Sequence, residues 1–161
     1  MRVLGIDPGF AITGYSIIDY IGNKFKLIDC GAVNTKAGTS FPERLTKIYD
    51  ELQLVINEYK PDSLAVEELF FNQNVKTAMN VSQARGVVLV LGCKANIPTY
   101  EYTPLQVKQA VCGYGRAEKK QVEKMVQTIL KVTDMPKLDD ITDSMAVAIC
   151  HAHSAKFAEK L

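Results

Sequence analysis

No apolar stretch in this sequence reaches the roughly 20 residues that a helix needs to cross a bilayer. The opening Met1-Arg2-Val3-Leu4-Gly5-Ile6-Asp7 runs into a charged position without a signal-peptide core. The expectation is a cytoplasmic protein without membrane association. The four cysteines, Cys30, Cys93, Cys112 and Cys150, stand singly with no C-x-x-C spacing, which argues against a zinc site and a disulfide framework and leaves free thiols. Strong net charge is missing too, and +1 over 161 residues excludes a uniformly basic glove for nucleic acid. With no internal repeat, low-complexity tract or linker, the chain reads as one domain over 1–161, and 47% hydrophobic residues are enough to build its core.

The charge that is present is unevenly placed. Between Pro104 and Lys131 six bases (Lys108, Arg116, Lys119, Lys120, Lys124, Lys131) face two acids, a balance of +4, while the rest of the chain carries −3. A phosphate-binding surface beside an acidic, metal-holding site needs such an asymmetry, although a solvated lysine-rich helix gives the same count.

Residues Val3 to Asp7 read as a short buried strand that ends where Pro8 keeps Asp7 extended and Gly9 permits a turn. Tyr15 to Tyr20 and Phe25 to Val33 read as strands joined by a Gly22-Asn23 hairpin turn. The spacing Ser40-Phe41-Pro42-Glu43 is that of a capping box, followed by Leu45, Ile48, Leu52, Val55, Ile56 and Tyr59 at helical intervals. Further elements are a strand over Ser63 to Leu69, a helix from about Val75 to Ala95 and a strand over Pro98 to Tyr102. Helices then start at Thr103-Pro104, Ala117 and Asp140, with Gly113-Tyr114-Gly115 as a joint between the first two. This order predicts an α/β fold, a mixed five-stranded sheet flanked by helices.

Carboxylates sit where their neighbours imply burial: Asp7, Glu67 or its neighbour Glu68, and Asp143 with either Asp139 or Asp140. Adjacent Glu67 and Glu68 on a strand point to opposite faces, so one of them can join Asp7. Asp139 and Asp140 both fall on the face of Asp143 by helical spacing, and capping of a helix start accounts for acids there equally well. Two strand-end acids with a same-face helical pair supply an oxygen-only donor set, the kind that Mg2+ or Mn2+ prefers. His151 and His153 are two apart and cannot share a helix face. His151 lies eight residues past Asp143, roughly 12 Å along the axis, where it would support the site only from its edge.

The motifs Gly5-Ile6-Asp7-Pro8-Gly9 with Thr13-Gly14-Tyr15, Val66-Glu67, Gln83-Ala84-Arg85-Gly86, Gln106-Val107-Lys108-Gln109, Ala117-Glu118-Lys119 and Asp140-Ile141-Thr142-Asp143 with Ala146-Val147-Ala148-Ile149 and His151 resemble those of the RuvC Holliday junction resolvases. The resemblance runs over nearly the whole chain, in order. It implies a ribonuclease H-like fold and a homodimer that cuts four-way DNA junctions, with the branch-migration proteins RuvA and RuvB as partners. It selects Asp7, Glu67, Asp140 and Asp143 as the acidic tetrad and leaves Glu68 and Asp139 outside it. Lys108 and Lys119 match lysines that hold DNA phosphates, and Arg116 and Lys120 lie in the same basic segment. Phe70 matches an aromatic residue that contacts the junction centre, with Phe71 as a second wedge. The helix with Val81, Ala84, Val87, Val88 and Leu91 becomes the dimer contact.

The expected chemistry is phosphodiester hydrolysis with two Mg2+ ions per site, Mn2+ being able to substitute, giving 5′-phosphate and 3′-hydroxyl ends. Three rivals stand beside it: a YqgF-like ribonuclease H-fold nuclease acting on structured RNA, an actin-like ATPase, which needs roughly twice this length, and a junction-binding module that does not cut.

Overall fold

The computed structural model describes residues 1–68 and 75–158, so Phe70 and Phe71 lie outside the described residues. Five strands, β1 (Arg2–Asp7), β2 (Ile12–Ile21), β3 (Lys24–Asn34), β4 (Ser63–Glu67) and β5 (Thr99–Tyr102), form one sheet in the order β3-β2-β1-β4-β5. The first three pair antiparallel, and β4 and β5 run parallel to β1. The hairpin turn between β2 and β3 has positive φ at both Gly22 (55°) and Asn23 (65°), as a two-residue turn matching strand twist requires. Both hairpin strands are longer than their apolar cores suggested, because ladder pairing continues from Ile12 opposite Asn34 to Ile21 opposite Lys24.

Among the described residues five helices cover the two faces: α1 (Phe41–Tyr59), α2 (Val75–Lys94), α3 (Pro104–Cys112), α4 (Lys119–Leu130) and α5 (Asp139–Ala158). Ser40 and Glu43 close the expected capping box on α1, and Thr103 with Gln106 makes another on α3. Side chains alternate across the sheet and so sort the core into two halves. Leu4, Ile6, Leu64 and Val66 pack with Ile48 and Leu52 of α1 and Ala84, Val88 and Leu91 of α2. Val3 and Ala65 face the other way, onto Met145, Ala148 and Ile149 of α5 with Val107 and Val126.

Helix α5 lies directly against the sheet. A Cβ at Gly5 would stand 2.2 Å from the Ser144 carbonyl oxygen and 2.8 Å from Ala148 Cβ. Only hydrogen at that position lets the helix sit so close. On the opposite layer, α2 buries Ala84, Val88 and Leu91 but leaves Met79 and Val90 each 55% exposed.

Candidate active site

The alternation that builds the core also aims the acids. In β1, Val3 and Gly5 face α5, so Asp7, two residues on, projects from the same face at the strand end. In β4, Ala65 faces α5 and Glu67 follows it by two, while Glu68 lies beyond the strand end with its amide bonded to the Tyr102 carbonyl at 2.8 Å. Ile6 pairs with Val66, so Asp7 and Glu67 end neighbouring parallel strands. The start of α5 lies over this end: a Cβ at Gly14 would meet the Asp140 carbonyl oxygen at 2.0 Å, and one at Gly9 would stand 3.8 Å from Asp140 Oδ1.

The electrostatics record how close the acids are. Burial raises the Asp7 carboxyl to about 8, helped by the charges of Glu67, Asp143 and Asp140, with Lys119 opposing. Glu67 is pushed up to about 7 by burial and by Asp143, against Lys108 and Lys119. Burial also raises Asp143, against the Lys119 ammonium. Lys119 Nζ stands 2.9 Å from Asp139 Oδ2 and 3.3 Å from Asp143 Oδ2. Desolvation works against that ammonium, but its hydrogen bond to Asp139 and the Asp143 charge hold its pKa above the ordinary lysine value. Asp139 therefore anchors a lysine at the rim, a contact that spacing along α5 gave no means of finding.

The donor set fits a hard divalent cation, because every group in it is a carboxylate, and burial raises Asp7 to about 8 and Glu67 to about 7, so nearby positive charge would favour their ionised forms. As they stand, no three His, Cys, Asp or Glu side chains among the described residues form a ligand cage.

Glu67, Asp143, Lys108 and Lys119 line one cleft of about 180 Å3, walled by Pro104, Val107, Val122 and Ala146. Lys108 is half-buried, whereas Arg116 and Lys120 are exposed beside the start of α4. His151 is placed elsewhere: its Nδ1 is 2.8 Å from the Tyr102 hydroxyl, its ring packs against Tyr100 at 4.4 Å, and burial lowers its pKa to about 4. It is a neutral ring tying α5 to β5. His153 makes its contacts with Phe25, Tyr20 and the Ala110 carbonyl.

A family profile described as Crossover junction endodeoxyribonuclease RuvC matches residues 3–151. The chain belongs to the RuvC family. A RuvC protein of Alkaliphilus oremlandii (strain OhILAs), named Crossover junction endodeoxyribonuclease RuvC, is 57% identical over 159 residues, covering 99% of this chain and 97% of that protein. The structure of Thermus thermophilus RuvC superposes with a TM-score of 0.92 at 35% identity, over 98% of this chain and 97% of that one. T. thermophilus RuvC in complex with a Holliday junction substrate gives a TM-score of 0.94 at 36% identity, over 98% and 96%. The ribonuclease H-like architecture expected from the RuvC motifs is thus the architecture of the protein.

Proposed function

We propose that this protein is an endonuclease that resolves four-way (Holliday) DNA junctions in recombination and repair by paired symmetric nicks, leaving 5′-phosphate and 3′-hydroxyl ends. One observation carries the reading: Glu67 of β4 and Asp143 of α5 line one cleft with Lys108 and Lys119, and Asp7 at the end of β1, held at about 8, feels the charges of Glu67, Asp143 and Asp140. Membership of the RuvC family and the likeness to a junction complex support the substrate. The YqgF-like reading on structured RNA has no comparable support.

In this reading Asp7, Glu67, Asp140 and Asp143 hold two divalent cations, Mg2+ or Mn2+. Such ions, when bound, neutralise charge on the scissile phosphate and lower the pKa of an attacking water. The chain's own residues do the rest. Glu67 and Asp7 keep their oxygens fixed because rigid neighbouring strands carry them. Lys108 and Lys119 bind phosphate oxygens on the cleft side, and Arg116 and Lys120 extend that cationic surface along α4. Val107, Val122 and Ala146 form an apolar wall that limits water and strengthens every charge interaction in the cleft. Phe70 and Phe71 contact the junction centre by stacking on unpaired bases.

The working form is a cytoplasmic homodimer of single nuclease domains, joined across α2 where Met79 and Val90 are exposed, with RuvA and RuvB as partners. A two-fold dimer on a two-fold junction makes the nicks symmetric. Among the described residues no helix is long and apolar enough to cross a membrane. Incubating the protein and Mg2+ with a synthetic four-way junction and, separately, a structured RNA tests the substrate. Paired nicks in the junction with the RNA left intact are expected; the reverse pattern would overturn the proposal.

A further inference from the structure

The loop after Asp7 is held from outside the site by a cluster that no role above employs. Arg44, in α1, lays its guanidinium over the Phe10 ring with Cζ 3.7 Å from the centroid, and the same ring stacks on Phe41 at 4.6 Å with 21° between planes. Arg44 Nε donates to Thr35 Oγ1 at 2.8 Å, and that hydroxyl donates to the Phe10 carbonyl at 2.6 Å. The Thr35 amide donates to the Ala11 carbonyl at 2.9 Å, and Thr13 Oγ1 donates to the Gly9 carbonyl at 2.6 Å. Three successive carbonyls, Gly9, Phe10 and Ala11, are fixed in this way. Thr35 is itself buried, so its hydroxyl geometry is set by the core rather than by solvent.

This loop joins the two places where the acids must keep their separation. At one end it leaves Asp7; at the other it passes Asp140, with Gly9 facing the Asp140 carboxylate and Gly14 against the Asp140 carbonyl. We infer that Arg44 is a positioning residue for junction cleavage: through Phe10 and Thr35 it clamps the loop over 8–13 and so fixes Asp7 against Asp140. The inference rests on the proposed role of those carboxylates. Arg44 touches neither acid, and the guanidinium packs on an aromatic face with its Nε committed to Thr35, the geometry of a clamp rather than of a free phosphate hook. The alternative, a direct phosphate contact by the remaining nitrogens, is separated by experiment.

The test compares the parent with Arg44→Met, Thr35→Val and Thr35→Ser, measuring single-turnover cleavage of a four-way junction at saturating Mg2+ and equilibrium junction binding over a range of salt. Displacement on the order of 1 Å costs about a hundredfold in rate. Arg44→Met and Thr35→Val should therefore cleave about ten- to a hundredfold more slowly. Their junction Kd should stay within about twofold of the parent, and its salt slope should not change. Thr35→Ser, which restores the hydroxyl, should return the rate to within about threefold of the parent.

Parent-like cleavage by Arg44→Met would overturn the inference. So would weaker junction binding with a salt slope smaller by about one, which marks a lost phosphate contact. If Arg44→Met fails to fold, the Thr35→Val and Thr35→Ser pair decides alone, since those variants differ at one buried hydroxyl. A parent that leaves the junction intact removes the functional reading itself, and the positioning claim with it.

Discussion

Asp7 carries the strongest perturbation in the site, and the sign of that perturbation is testable without substrate. Its folded pKa of about 8 lies above the ordinary 3.8, so between those values the native state keeps a proton that the unfolded chain releases. Metal-free stability should therefore fall as pH rises from about 4 to 8, and Asp7→Asn should remove that component of the slope, as read by thermal denaturation in chelator. Glu67, raised to about 7, adds to the same trend. Because a cation must displace these protons, its apparent affinity should rise with pH, by up to about tenfold per unit for each proton displaced, and level off above about pH 7 for Glu67 and about pH 8 for Asp7, measured as the Mg2+ concentration that half-saturates a thermal shift. The two glutamates give a sharper contrast. Glu67→Gln should lower cleavage about a thousandfold, a loss of several kcal/mol of charge stabilisation, while Glu68→Gln should leave the rate within about threefold.

At the scale of elements, the close seat of α5 on β1 holds the site together. Gly5→Ala puts a methyl group within 2.2 Å of the Ser144 carbonyl oxygen, where backbone and not a flexible side chain must yield. We expect destabilisation of about 3 kcal/mol, read as a lower denaturant midpoint, with cleavage reduced as the Asp140 and Asp143 end of α5 lifts. The elements themselves were largely legible. Capping chemistry at Ser40 and Thr103 marked two helices, and the strand pattern after Pro61-Asp62, read over Ser63 to Leu69, marked β4, which ends at Glu67. Spacing alone left Glu67 against Glu68 and Asp139 against Asp140 open, and it was the resemblance to RuvC that chose Glu67 and Asp140. The facing of Ala65 toward α5 gives Glu67 a structural reason, and Asp139 shares the Lys119 ammonium with Asp143. Contacts between residues far apart in sequence could not be read from local pattern. Arg44 over Phe10, and Tyr102 on His151 across 49 positions, depend on how α1 and α5 dock, which no periodicity encodes.

At the scale of the molecule, two of the six bases between Pro104 and Lys131, Lys108 and Lys119, line the cleft, and Arg116 and Lys120 are exposed near the start of α4. The opposite layer presents the apolar face of α2. For the homodimer proposed above, Val90→Lys should give a monomer in sedimentation velocity and replace paired nicks by slow, unpaired ones, because it sets a charge without a partner on the exposed apolar surface of α2. The central claim is that the gathered carboxylates cut a four-way junction rather than merely bind it. The most direct test is a side-by-side assay of the parent and Asp7→Asn on a synthetic junction with Mg2+, scoring binding by mobility shift and cleavage on a denaturing gel. The account predicts that both bind and only the parent makes symmetric nicks. Equal cleavage by Asp7→Asn would contradict it.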